Sequence, residues 1–185
     1  MAQADGVLRL FAVGCGLALA LSGCGAKPDQ TQRESRIDMT AAASALESAA
    51  LDSGAIQNAA AIDPTGLFRT THEAGADTLC VMPRSDARNH AFGLEVNFGE
   101  SQYCRGRGLA RQAGDSLILH FERYGCILVA QYEGDRVVLP GAVDMRCDNL
   151  CTNRASLAGV VMARQSAEGR RSGNATDRDG NKLCR

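Results

Sequence analysis

Tryptophan is absent from this 185-residue chain, and there are only three tyrosines and five phenylalanines. A core must therefore be built from aliphatic side chains and a few phenylalanines, although hydrophobic residues make up 45% of the sequence. Charge of one sign is also lacking. Lys and Arg number 20, Asp and Glu 21, and the formal net charge is −1. That excludes the strongly basic surface on which nucleic-acid binding rests, so no nucleic-acid partner is expected. Catalytic signatures are missing too. There is no Gly-x-Ser-x-Gly around a serine, no phosphate-binding loop, no paired-carboxylate motif and no Cys-x-x-Cys. His72, His90 and His120 are scattered singly. The sequence predicts no enzyme and no cofactor.

What the chain has in quantity is cysteine, eight residues in all. Their chemistry depends on the compartment, because exported thiols pair and cytosolic ones stay reduced. The N-terminus decides this. Residues 10–22, LFAVGCGLALALS, form an apolar run behind Arg9, with Asp5 weakening the positive flank. The run has the length of a signal-peptide core and falls short of the roughly 20 residues of a membrane span. It ends in Leu21-Ser22-Gly23-Cys24. This resembles the lipobox of bacterial lipoproteins: a leucine, two small residues and the cysteine to be acylated. The resemblance implies cleavage before Cys24, removal of Cys15 with residues 1–23, and a membrane anchor on the Cys24 thioether and amine. Several acyl chains hold where a single one is marginal. Neither Gly25 nor Ala26 is the aspartate that retains familiar lipoproteins at the inner membrane. The implied location is therefore the periplasmic face of the outer membrane, in a bacterial cell envelope.

Residues 24–37 are polar after the cysteine and contain Pro28, which suits an acylated N-terminus on a flexible tether. Residues 38–64 are alanine-rich, which favours helix, with Asp38 or Thr40 as the cap, Gly54 as a break and Asp63-Pro64 as the end. From residue 65 the period changes to two. Phe92, Leu94, Val96 and Phe98 alternate with Gly93, Glu95 and Asn97, and Leu117, Leu119 and Phe121 repeat the pattern. Further strands are predicted over residues 67–71, 78–82, 103–112, 136–139 and 156–165, with a more fully apolar one over 126–132. Gly114-Asp115 and Gly134-Asp135 fit tight hairpin loops. The fold class is mainly β: a small antiparallel meander over residues 65–165, closed as an eight-stranded barrel, after an Ala-rich helical segment. A two-sheet sandwich is the alternative. The polar residues 166–185 read as a disordered tail.

With Cys15 removed and Cys24 acylated, the disulfide candidates are Cys80, Cys104, Cys126, Cys147, Cys151 and Cys184. Six thiols allow fifteen pairings. Cys80 with Cys104, on neighbouring strands, is the favoured pair. Cys147 with Cys151 would close a tight loop, leaving Cys126 and Cys184. Cys147 and Cys151 have a tolerable zinc-ligand spacing, but no second close pair follows, so no metal is expected. Asp177, Asp179 and Asn181 match the oxygen spacing of extracellular calcium loops only weakly, since Lys182 stands where the turn glycine belongs. Arg105-Gly-Arg-Gly108 reads as a solvated turn or strand edge.

This organisation is similar to small envelope lipoproteins with a compact barrel. Among these it resembles, in architecture only, the periplasmic inhibitors of secreted metalloproteases and of lysozyme, over roughly residues 65–165. Gly66-Leu67-Phe68-Arg69 sits where the protease inhibitors carry a Gly-x-Trp strand, without the tryptophan, so no inhibitory residue is carried over. The expected function is a membrane-anchored binding or inhibitory module, partnered by the membrane through Cys24 and by an envelope protein. The alternative is a structural envelope lipoprotein with no small-molecule or enzyme target. Cys24→Ser is expected to abolish incorporation of a palmitate analogue and leave the precursor uncleaved. Equal labelling of both chains would refute the lipoprotein reading.

Overall fold

A strand that is apolar at every second residue must bury one face, and a run of such strands does so without exposed edges by closing on itself. The computed structural model describes residues 30–86 and 88–184, with side chains from residue 40 onward. The apolar run, Cys15 and the Leu21-Ser22-Gly23-Cys24 motif lie outside the described residues. The chain divides into two units, residues 1–46 and 47–185. Eight strands in the second unit form the barrel: β1 (Gly66–His72), β2 (Gly75–Pro83), β3 (His90–Asn97), β4 (Tyr103–Ala113), β5 (Ser116–Phe121), β6 (Cys126–Tyr132), β7 (Arg136–Val138) and β8 (Val161–Ser166). Each pairs antiparallel with the next, and β8 closes on β1. The hairpin glycines Gly114 and Gly134 take φ of +64° and +87°, which tight turns require and L side chains resist.

The barrel interior is filled. Phe68, Leu79, Val81, Phe92, Leu94, Val96, Leu117, Leu119, Phe121, Leu128, Tyr132 and Met162 are all buried in one cluster. Four of the chain's few aromatic rings meet here edge to face: Phe92 with Phe121 at 4.8 Å between centroids, Phe68 with Tyr132 at 6.3 Å. The space for the first pair comes from β4, whose Gly106 would place a Cβ within 2.5 Å of the Phe121 ring.

Both ends are closed. Where β1 begins, a 3-10 turn at Ala59–Ala61 covers the opening, and Gln112 Nε2 donates to Ala59 O at 2.8 Å. Arg164 shares a face of β8 with buried Met162, and its guanidinium lies 4.8 Å over the Phe68 ring. The guanidinium donates to the Asp63 and Thr65 carbonyls at 3.0 Å and to the Tyr132 hydroxyl, so the charge is solvated by the plug it completes. At the other end, residues 139–160 fold over the opening and bury Leu139, Leu150 and Leu157.

Several expectations give way. Helix α1 (Gln30–Asp52) starts inside the expected tether and stops near Gly54, so Asp38 and Thr40 are interior residues and not caps. Gln, Arg and Glu propagate a helix nearly as well as alanine does. Among the described residues no helix is long and apolar enough to cross a membrane. β6 alternates instead of being buried throughout, leaving Ile127 and Val129 half exposed at 50% and 55%. β8 starts only at Val161, because residues 156–159 turn around Gly159. The tail is ordered: helix α2 (Gly169–Asn174) is followed by a loop closed by the Thr176–Lys182 bridge.

The disulfides join Cys80 to Cys184, Cys104 to Cys151 and Cys126 to Cys147, so neither Cys80–Cys104 nor Cys147–Cys151 forms. Cys80 and Cys104 are separated by β3 and face opposite ways. Cys80 packs outside the wall with Leu183, and Cys104 packs in the interior cluster. Two strand spacings of roughly 4.8 Å each already exceed the reach of a bridge. Two of the bridges sew residues 139–160 over the barrel end, and the third fastens the C-terminal segment. Three bridges place the folded chain in a non-reducing compartment, outside a mesophile's cytoplasm. Peptide mapping of the oxidised protein is expected to recover these three pairs. The Cys80→Ala, Cys184→Ala double variant should lose about 2–5 kcal/mol in urea unfolding. A recovered Cys80–Cys104 peptide would overturn the pairing.

Candidate functional site

With the interior filled and both ends closed, chemistry is confined to the outer surface. Strand register sets one polar row across the wall: Arg69 on β1 pairs with Thr78 on β2, Thr78 with Glu95 on β3, and Glu95 with Arg105 on β4. All four side chains point outward, because their neighbours Phe68, Leu79, Leu94 and Cys104 point in. The Arg-Gly-Arg-Gly stretch is thus mid-strand, not a solvated edge. Its glycines make room for rings inside, and its arginines hold the C-terminal segment outside.

Arg105 is the center of that grip. Its Nε donates to Glu95 Oε2 at 2.6 Å, and its Nη1 lies 3.1 Å from Asp177 Oδ2 and 2.8 Å from Asp179 Oδ2. Glu95 and Asp177 are only 3% and 6% exposed, so these are charges removed from water and met by a charge. The second Glu95 oxygen accepts from Asn97 Nδ2 at 3.2 Å and from the Arg178 backbone N–H at 2.9 Å. Asp177 Oδ1 accepts from the backbone N–H groups of Asp179 and Asn181 at 3.0 and 2.8 Å. Burial pushes the Asp177 carboxyl pKa up. The Asn181 N–H, the Arg105 charge and the Asp179 N–H outweigh that, and the pKa lies below its ordinary value of 3.8. Arg105 and Arg178 both lie 5.0 Å over the Tyr103 ring. Arg107 donates to Lys182 O, and Leu183 fits against the wall where Gly93 has no side chain.

The residues that resembled a calcium loop do come together. Asp177, Asp179 and Asn181 form a turn built on the Asp177 carboxylate, and the cation facing its two acids is the Arg105 guanidinium. The three histidines stay apart. His72 Nε2 lies 3.1 Å from Asp77 Oδ1 at one barrel end, His90 Nε2 lies 3.6 Å from Asp63 Oδ2 at the other, and His120 is on the outer face of β5. Among the described residues no group of three His, Cys, Asp or Glu is placed to hold a metal ion.

Between the C-terminal segment and β1–β3 lies a groove of about 550 Å³. Thr78 and Asn97 line it on the wall side, Ala175 to Arg178 on the other, with Arg69 and Arg171 beside them. Sequence reasoning missed it, because its second wall was read as disorder. A hollow of about 750 Å³ at the end where β1 begins is lined by residues 54–60 and by Glu133 and Arg136, which pair with each other.

The grip on the C-terminal segment has a pH dependence. A lowered native pKa at Asp177 contributes stability that is present above 3.8 and lost as pH falls through the native value. Arg105→Ala strands two buried carboxylates, and should cost about 3–5 kcal/mol at neutral pH. The gap between wild type and variant should shrink below the ordinary carboxyl value. Urea unfolding at several pH values checks both, and a gap unchanged down to pH values well below 3.8 would contradict the assignment.

Compared with protein-family models, with curated proteins and with solved structures, the chain matches none, so its function rests on its own geometry.

Proposed function

We propose that this chain is an exported bacterial lipoprotein, anchored through acylated Cys24 to the outer membrane facing the periplasm, whose barrel serves as a binding or inhibitory module. The observation that carries the binding part is the contrast between interior and exterior. The barrel interior is filled by side chains, which leaves no space there for a ligand of the kind larger or emptier barrels carry. The groove on the outer wall is concave, of a size that small ligands or short chain segments occupy, and mixes small apolar with polar lining. The three disulfides support export, and the Leu21-Ser22-Gly23-Cys24 motif supports the anchor. An anchored barrel working through its outside holds a partner at the membrane surface, and its target is an envelope component.

The test uses the full chain in its envelope. A photo-crosslinking residue at Thr176, on the groove, is expected to capture a discrete partner. The same residue at Arg154, in the segment over one barrel end, is expected to capture none. No product from Thr176, or the same products from both positions, would favour the structural envelope reading over the binding one.

A further inference from the structure

We propose that the groove between β1–β3 and the C-terminal segment binds a pair of carboxylates carried on a short, weakly apolar body. The proposal rests on the binding-module reading and names the ligand chemistry of that site. The argument is an inventory of which polar groups along the groove are already engaged. The two acids lining it, Glu95 and Asp177, are already engaged as acceptors: each of their four oxygens faces a donor or cation from Asn97, Arg105, Arg178 or the turn at residues 179–181. Three other donors are open or weakly held. The Arg69 guanidinium has no hydrogen-bond or ion-pair partner among the described residues. Arg171 has only a solvent-exposed contact of 3.5 Å with Glu168. Thr78 is 8% exposed, lines the groove beside Arg69, and its hydroxyl has no partner among the described residues.

One free guanidinium, a second held only by an exposed contact, and the unpartnered hydroxyl of the largely buried Thr78 make a donor-rich lining. A ligand must supply oxygens, and planar carboxylates match the forked geometry of a guanidinium. Two guanidinia on opposite walls, Arg69 on the barrel and Arg171 on α2, call for two carboxylates and not one. Leu67, Ala76 and Ala175 supply small aliphatic lining to the same groove, which suits a short, weakly apolar body joining the carboxylates. This chemistry has two sources: a free dicarboxylic acid, or an acidic segment of a polypeptide.

Calorimetric titration of the oxidised protein separates them. The probes are glutarate, acetyl-Glu-Ala-Glu-amide, its Gln-Ala-Gln counterpart and its Lys-Ala-Lys counterpart. Glutarate and the glutamate peptide are expected to bind saturably, and the other two are not. A tighter glutamate peptide identifies a polypeptide source, and a tighter glutarate a free acid. Arg69→Ala should weaken binding about tenfold and Arg171→Ala several-fold, since each removes a charged hydrogen-bonding partner. Both positions carry little of the fold, and circular dichroism should be unchanged. Arg154→Ala, outside the groove lining, should bind as wild type. Absence of saturable binding by either acid, equal binding of the lysine peptide, or full affinity in Arg69→Ala would each overturn the proposal. If the acids fail while the Thr176 crosslink forms, the binding module stands and only its ligand is wrong. If both fail, the binding reading falls with it.

Discussion

One guanidinium ties the C-terminal segment to the barrel wall. Arg105 stands on the barrel wall between an acid of the same sheet, Glu95, and two acids of a segment more than seventy residues later, Asp177 and Asp179. Buried ion pairs contribute little net stability over apolar packing, but they are intolerant of misalignment, because any stranded charge is severely penalised. The arrangement therefore fixes where the segment lies more than how tightly it is held. The holding is left to Leu183, Ala175 and the Cys80–Cys184 bridge, which form a small apolar cluster on the outside of the wall. The groove exists because position and attachment are supplied by different interactions on the same segment.

The shortage of aromatic residues is met by economy of placement. Three phenylalanines and one tyrosine sit in the interior, paired edge to face, and β4 gives up side chains at Gly106 and Gly108 to admit them. A small barrel has little volume to fill, so a few rings and a shell of leucines suffice. What such a core lacks is a margin for long irregular segments. Residues 139–160 fully bury three leucines over the barrel end, Leu139, Leu150 and Leu157, with Val143, Ala155 and Val160 partly buried beside them, and they carry two covalent ties. The disulfides are found where apolar burial is thinnest.

The strands were legible because period-two alternation is a local signal, clearest in the apolar residues of β3, β5 and β6 that fill the interior. Gly114 and Gly134 marked two hairpins for the same reason. The pairing of cysteines was not legible from spacing, although part of it was within reach. In Tyr103-Cys104-Arg105-Gly106-Arg107 the charged residues must point out, which sends Cys104 inward. Leu79 and Val81 point in, which sends Cys80 outward. Two thiols on opposite faces do not meet, and a short separation in the sequence counts for nothing against that. The tail misled for a different reason. Its order comes from ion pairs and hydrogen bonds with side chains of β3 and β4, Glu95, Arg105 and Arg107, which a composition rule scores as solvated polarity. The groove depended on that tail, so no reading confined to local pattern could have reached it.

The three bridges have a topological consequence. Cys126–Cys147 lies within the span of Cys104–Cys151, and that within the span of Cys80–Cys184, so the covalent loops are concentric. The inner loop spans 21 positions, the next 47 and the outer 104. Because closure entropy grows with the length of free chain, each inner link shortens the loop its outer neighbour has still to close. The bridges are thermodynamically coupled from the inside outward. Opening the innermost one lengthens the free path beneath Cys104–Cys151 alone, since that link already bypasses residues 105–150 for the outer loop, whereas opening the outermost releases the C-terminal segment and leaves the two inner loops at their original size.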